Sequence, residues 1–167
     1  MQNNVLEYLE NIVGKVPDKM AYADEISGAT FQEVYDNSRA IGTSLSNEGY
    51  HKEPIVVFMG KHPSAIITFY GVIYSGCYYV PRDEEMARHR IELIFGGLEP
   101  KAVICDKDTI EVLDSYNYKG KVYLYNDLVK AKASDDVLTG IRERQIDTDP
   151  IYIVFTSGST GIPKGVV

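Results

Sequence analysis

The sequence predicts an α/β fold: a mostly parallel sheet with helices on both faces. Three observations predict it. Segments with helical spacing alternate with short apolar runs of strand length along most of the chain. Two of those runs, residues 54–59 and 102–105, are apolar throughout, as in strands covered on both faces. A third, residues 151–155, ends directly in a stretch of glycines and hydroxyl residues. In open parallel sheets, ligands gather beyond strand carboxyl ends of this kind.

The elements follow in order. Residues 5–13 carry helical spacing, 20–24 read as a short strand, and Ser27-Gly28 as a turn. Thr30-Phe31-Gln32-Glu33 is a capping box, in which Thr30 caps the amide three residues on and Glu33 reaches back. Phe31, Val34, Tyr35, Ser38, Ile41, Gly42 and Leu45 then form one helix face, ended by Gly49. After the strand at 54–59, residues 64–75 predict a buried helix, Gly76 a stop, and 77–81 a buried strand. Asp83 is positioned to cap the next helix, with apolar face Ala87, Ile91, Ile94, Phe95 and Leu98; Gly96, Gly97 and Pro100 close it. Asp83, Glu84 and Glu85 suit a helix start, where negative charge opposes the helix dipole. Arg88, His89 and Arg90 read as a solvated face. Residues 102–105 and 122–125 are strands, 109–113 and 128–133 short helices. The polar segment 134–150 reads as a surface connection with a helical turn at 137–143.

With 167 residues and one expected core, residues 1–167 form a single domain. A net charge of −7 without a basic stripe excludes the usual electrostatic grip on nucleic acid. Cys77 and Cys105 sit in apolar segments and read as reduced, buried thiols. His51, His62 and His89 show no metal-ligand spacing. The first ten residues lack the basic start and apolar run of a signal peptide, so the cytoplasm is the expected location. Residues 63–81 are uncharged, but Thr68, Gly71, Ser75 and Gly76 interrupt them, so a buried helix and strand are expected rather than a membrane span.

The stretch FTSGSTGIPKG, residues 155–165, carries the chemistry. Thr156, Ser157, Ser159 and Thr160 supply four hydroxyls. Gly158 and Gly161 let backbone amides approach a ligand closely, and Lys164 adds a positive charge stiffened by Pro163. These are the parts of a polyphosphate cradle. The spacing is not G-x-x-x-x-G-K-[ST], and a β-like ending follows Lys164, so the loop is expected to join two strands instead of opening a helix.

Residues 153–166, IVFTSGSTGIPKGV, closely resemble the signature of the adenylate-forming, or AMP-binding, superfamily. Its members include acyl-CoA and aryl-CoA synthetases, luciferases and the amino-acid adenylation domains of nonribosomal peptide synthetases. Upstream, TFQEV at 30–34 resembles the family's T-Y-x-E-L, IYSGCYYVPRD at 73–83 resembles K-A-G-x-A-Y-V-P-I-D, and Arg90-Ile91 falls where an R-I pair is common. Arg82 departs from this pattern, standing where relatives usually carry an apolar residue.

The resemblance implies an N-terminal portion of the family's large domain, belonging to an ATP- and Mg2+-dependent ligase that activates a carboxylic acid. The acid attacks the α-phosphorus, an acyl-adenylate forms and pyrophosphate leaves; the acyl group then passes to a carrier-protein phosphopantetheine thiol or to CoA. It implies that Thr156, Ser157, Gly158, Ser159, Thr160, Gly161 and Lys164 hold the phosphates. It implies no catalytic residue within this portion, which is expected to be inactive alone, and no nucleic-acid or membrane partner. The Y-V-P-x-D form favours an amino acid as substrate. An acyl-CoA synthetase portion, or a non-catalytic nucleotide- or partner-binding module of the same fold, remains an alternative.

Overall fold

The computed structural model describes residues 4–82, 86–156 and 163–167. Helix α1 (Leu6–Val13) leads into a two-stranded antiparallel hairpin, β1 (Met20–Ala23) and β2 (Gly28–Thr30). The turn lies one step earlier than Ser27-Gly28 predicts, because the Asp24 carboxylate accepts the amides of Ile26 and Ser27 at 2.7 and 2.6 Å and fixes the bend there. The capping box forms as expected at the start of α2 (Phe31–Asn47): Thr30 Oγ1 accepts the Glu33 amide and Glu33 Oε2 accepts the Thr30 amide. Gly49 follows with φ 87°, the left-handed backbone that ends the helix without a Cβ clash.

Four parallel strands form the central sheet in the order β4-β3-β5-β6. They are β3 (Pro54–Phe58), β4 (Tyr78–Arg82), β5 (Ala102–Cys105) and β6 (Lys121–Leu124). The side-chain period of two splits the strands between two cores. Ile55, Val57, Ala102 and Ile104 face one cluster with Leu6, Leu9, Ile41 and Leu45, while Val56, Phe58, Val103 and Cys105 face another with Ile91 and Leu113. On the first side pack α1, α2 and α3 (Pro63–Tyr74); on the second, α4 (Arg88–Leu98) and α5 (Ile110–Asp114). The α/β fold with helices on both faces is therefore as expected. Both cysteines are free and buried, and burial pushes the Cys105 thiol up to about 12.

Helices α2 and α3 approach closely because glycines meet in the contact. A Cβ on Gly42 would lie 2.5 Å from the Tyr74 Cβ, and one on Gly71 would lie 2.5 Å from Ile41 Cγ2. Helix α3 opens with Pro63 at its first position and stops where Gly76 takes φ 75°. None of the described helices is long and apolar enough to cross a membrane.

Several local expectations give way to tertiary forces. Helix α4 begins at Arg88, with Ala87 as its N-cap, not at Asp83; Asp83, Glu84 and Glu85 lie outside the described residues. Its buried residues are Ile91 and Ile94, and Ile91 joins the core on that face of the sheet. Gly96 and Gly97 lie within it, and it ends instead at Glu99 with φ 47°. Pro100 explains this, since a residue before proline is pushed out of the right-handed helical region. The short helix expected at 128–133 is α6 (Tyr125–Leu128), anchored by buried Leu128. The polar segment after it holds a full amphipathic helix, α7 (Asp135–Arg142), capped by Ser134 and docked through buried Leu138 and Ile141. Glu10 on α1 secures it by accepting from Arg142 at 2.6 Å and from the Tyr74 hydroxyl at 3.1 Å.

The strand expected at 151–155 is realised in two pieces. Tyr79 donates to the Ile151 carbonyl and Ile153 donates back to Tyr79, both at 3.0 Å, so the segment lies parallel beside β4. The ladder then stops, because the next donor on that side of β4 would be residue 81, a proline with no N–H. From Val154 the chain turns to a different partner: β7 (Val154–Thr156) pairs antiparallel with β8 (Lys164–Val166).

Candidate functional site

Strand β7 leaves the sheet at the carboxyl end of β4 and returns as β8, so residues 157–163 form the connection between them. The two strands of the expected strand-loop-strand unit are therefore present and paired. The register pairs Val154 with Val166, Phe155 with Gly165, and Thr156 with Lys164. Thr156 and Lys164, eight residues apart in sequence, thus flank the two ends of the loop, and both are exposed. Ser157, Gly158, Ser159, Thr160 and Gly161 lie outside the described residues.

Beside the hairpin, the ends of β3 and β4 line a largely apolar cleft of about 530 Å³. Its walls include Met59, Phe69, Met86 and Phe155. Two charged features border it. On one side, His62, which precedes α3, meets Asp24 of the β1–β2 turn with Nδ1 and Oδ2 2.7 Å apart. The Asp24 carboxylate raises the His62 pKa, with a smaller contribution from Asp106 and Asp108. Asp24 is held well below the usual carboxylate range, first by His62 and then by the Ile26 and Ser27 amides. No sequence pattern linked these two residues, which are joined only by the docking of the hairpin on α3.

On the other side lies Arg82, the last residue of β4. It is 5% exposed, and its guanidinium sits over the Phe155 ring, 4.8 Å from the centroid. Nη1 donates to its neighbour's carbonyl, that of Pro81, at 2.6 Å. Burial pushes its pKa down to about 10, with Arg90 adding like-charge repulsion. Arg90 is not part of a solvated face: its Nη2 donates to the Phe155 carbonyl at 3.2 Å. Arg88 does remain at the surface, paired with Glu92 and lying over the Tyr116 ring. The sequence marks Arg82 as unusual, but it carries no signal that Arg90, on α4, reaches the same residue as Arg82 on β4.

Among the described residues no group of three or more His, Cys, Asp or Glu side chains gathers to hold a metal ion. A Thr156 hydroxyl and a Lys164 ammonium at the two ends of one loop do fit a polyphosphate, one as donor and the other as countercharge.

The chain is similar to known proteins in sequence and in fold. The D-alanine--D-alanyl carrier protein ligase of Staphylococcus aureus is 32% identical over 164 residues, which cover 98% of this chain and 31% of that ligase. The solved structure of VinN with 3-methylaspartate matches with a TM-score of 0.78 at 24% identity, over 96% of this chain and 45% of that one. The nonribosomal peptide synthetase FmoA3 in its α-methyl-L-serine-AMP bound form matches with a TM-score of 0.81 at 22% identity, over 96% of this chain and 17% of that one. These structural likenesses confirm the fold. The chain spans about a third of the length of the curated relatives it matches. The profile of the AMP-binding enzyme family covers residues 9–167, and together with the one-third identity to a curated member it establishes that the chain belongs to that family.

Proposed function

We propose that this chain is the N-terminal, phosphate-gripping part of an ATP-dependent ligase that activates an amino acid as its adenylate and passes it to a carrier-protein thiol. The observation that carries the reading is the β7–β8 register, which sets Thr156 opposite Lys164 at the end of a strand lying beside β4. Thr156, Ser157, Gly158, Ser159, Thr160, Gly161 and Lys164 hold the β- and γ-phosphates, leaving the α-phosphorus open to the substrate carboxylate. The bond between the α-phosphorus and the bridging oxygen breaks, and pyrophosphate departs against the Lys164 charge. Catalysis of this kind comes from positioning and charge neutralisation. The AMP-binding family and its ATP chemistry support an adenylate, and the carrier protein ligase among the relatives supports an amino acid and a carrier thiol over CoA. Mg2+ belongs to this reaction by analogy with the family, and would bridge the phosphates with few protein ligands. The cytoplasm is the matching compartment, supplying ATP and keeping Cys77 and Cys105 reduced.

Residues 1–167 act in this reading as one structural unit that binds phosphate but does not complete the reaction. Isothermal titration of this chain with ATP should give measurable binding, while ATP–pyrophosphate exchange with D-alanine and a panel of amino and fatty acids stays at background. Exchange that depends on an added acid would overturn the assignment of this chain to one part of the catalyst. Failure to bind ATP at millimolar concentration would overturn the role of the loop.

A further inference from the structure

Arg82 presents a problem that its own fold does not solve. Its Nε and Nη2 are buried without a hydrogen-bond partner, as is Nε of Arg90, and among the described residues no ion pair reaches either guanidinium. A buried cation without a partner is strongly disfavoured. Half-buried Arg90 converges with buried Arg82 on one residue, Arg82 over the ring of Phe155 and Arg90 on its carbonyl. Repulsion between them is felt at Arg82. An anion shared by both would relieve the desolvation and the repulsion together.

The position narrows the class of anion. Phe155 is followed directly by Thr156, the first residue of the loop, and Arg82 lines the cleft that opens beside it. We infer that Arg82 and Arg90 form a second phosphate-binding site, next to the loop, that takes a phosphate oxyanion of the nucleotide or of released pyrophosphate. This rests on the reading that the loop itself handles polyphosphate. The planar guanidinium fork suits two phosphate oxygens at once, which an apolar residue at position 82 could not offer.

The test uses this chain with inorganic pyrophosphate as probe and malonate as a carboxylate control, comparing wild type with Arg82→Met, Arg90→Met and Lys164→Ala. Pyrophosphate affinity is expected to fall roughly ten- to hundredfold in Arg82→Met, the loss of a charge-assisted pair. Malonate should bind more weakly than pyrophosphate. Thermal melting adds a readout that a purely structural arginine would move the other way. Without anion, Arg82→Met should melt at or above the wild-type temperature, since it removes an unpaired buried charge, and pyrophosphate should raise the melting temperature of wild type but not of the variant. Unchanged affinity in Arg82→Met would overturn the site, as would a lower melting temperature with affinity intact, which marks an ion pair inside the chain. If Arg82→Met does not fold, Arg90→Met decides: weakened pyrophosphate binding supports the site and unchanged binding overturns it. Malonate binding as tightly as pyrophosphate would overturn the phosphate assignment. Loss in Lys164→Ala with Arg82→Met intact sinks the arginine site and leaves the loop reading; the reverse sinks the loop reading alone; and no binding by wild type sinks both.

Discussion

Thr156 and Lys164 stand opposite each other across the β7–β8 hairpin, with Thr156 Oγ1 3.5 Å from the Lys164 carbonyl oxygen. Two residues eight positions apart thereby flank the two ends of the proposed phosphate loop. A hydrogen bond to the charged phosphate contributes about 1.5–3 kcal/mol, and the Lys164 ammonium adds its own charge attraction, so the hydroxyl belongs at the low end of that range and the lysine at the high end. Lys164→Ala should therefore weaken ATP binding about a hundredfold, and Thr156→Val about tenfold, measured by titration calorimetry. Equal affinities for the two variants would mean that the lysine charge is not directed at the phosphates.

Gly42 and Gly71 set the approach of α2 to α3. Alanine improves helix propensity by about 1 kcal/mol over glycine. At Gly42, however, the added carbon meets Tyr74 Cβ at 2.5 Å and the Gly71 carbonyl oxygen at 3.2 Å. Overpacking of this kind costs about 1–3 kcal/mol, so Gly42→Ala should lower stability despite its better propensity. Gly96→Ala, in open space on α4, is the control and should be neutral or stabilising. Urea unfolding of both proteins measures the difference, and a more stable Gly42→Ala protein would contradict the close approach.

The His62–Asp24 pair ties the β1–β2 turn to α3, and its pH dependence has a definite sign. His62 is raised from its ordinary 6.5, so its contribution is complete below pH 6.5 and is lost as pH rises through the raised value. Asp24 is lowered from 3.8, so its contribution is present above about pH 3.8 and is lost only in stronger acid. The pair is fully formed between about pH 4 and 6.5. The melting temperature of wild type should fall between pH 6.5 and 8.5 more steeply than that of His62→Gln. Parallel curves would place the pH dependence in other groups.

Much of the architecture was legible in local chemistry. The capping box at Thr30 and Glu33, the stops at Gly49 and Gly76, and the uninterrupted apolar strands at 54–59 and 102–105 each follow from forces acting within a few residues. The candidate phosphate residues of the loop were an equally local reading, made from hydroxyls, glycines and one lysine at close spacing after an apolar strand.

What the sequence alone determined about this protein is therefore its class of fold and its family. Tertiary structure decided where elements begin and whom they meet. Segment 151–155 reads as one strand, yet it divides because Pro81 on the neighbouring strand has no N–H to offer. Segment 134–150 reads as a polar connection with a helical turn at 137–143; that turn lengthens into α7 because Leu138 and Ile141 find buried places and Glu10 receives Arg142. Arg90 reads as solvated, yet it bends to Phe155, and Arg82, one position past the proline, is buried beside it. Burial, partner geometry and like-charge proximity are properties of segments distant in sequence, and they exist only once the chain has folded.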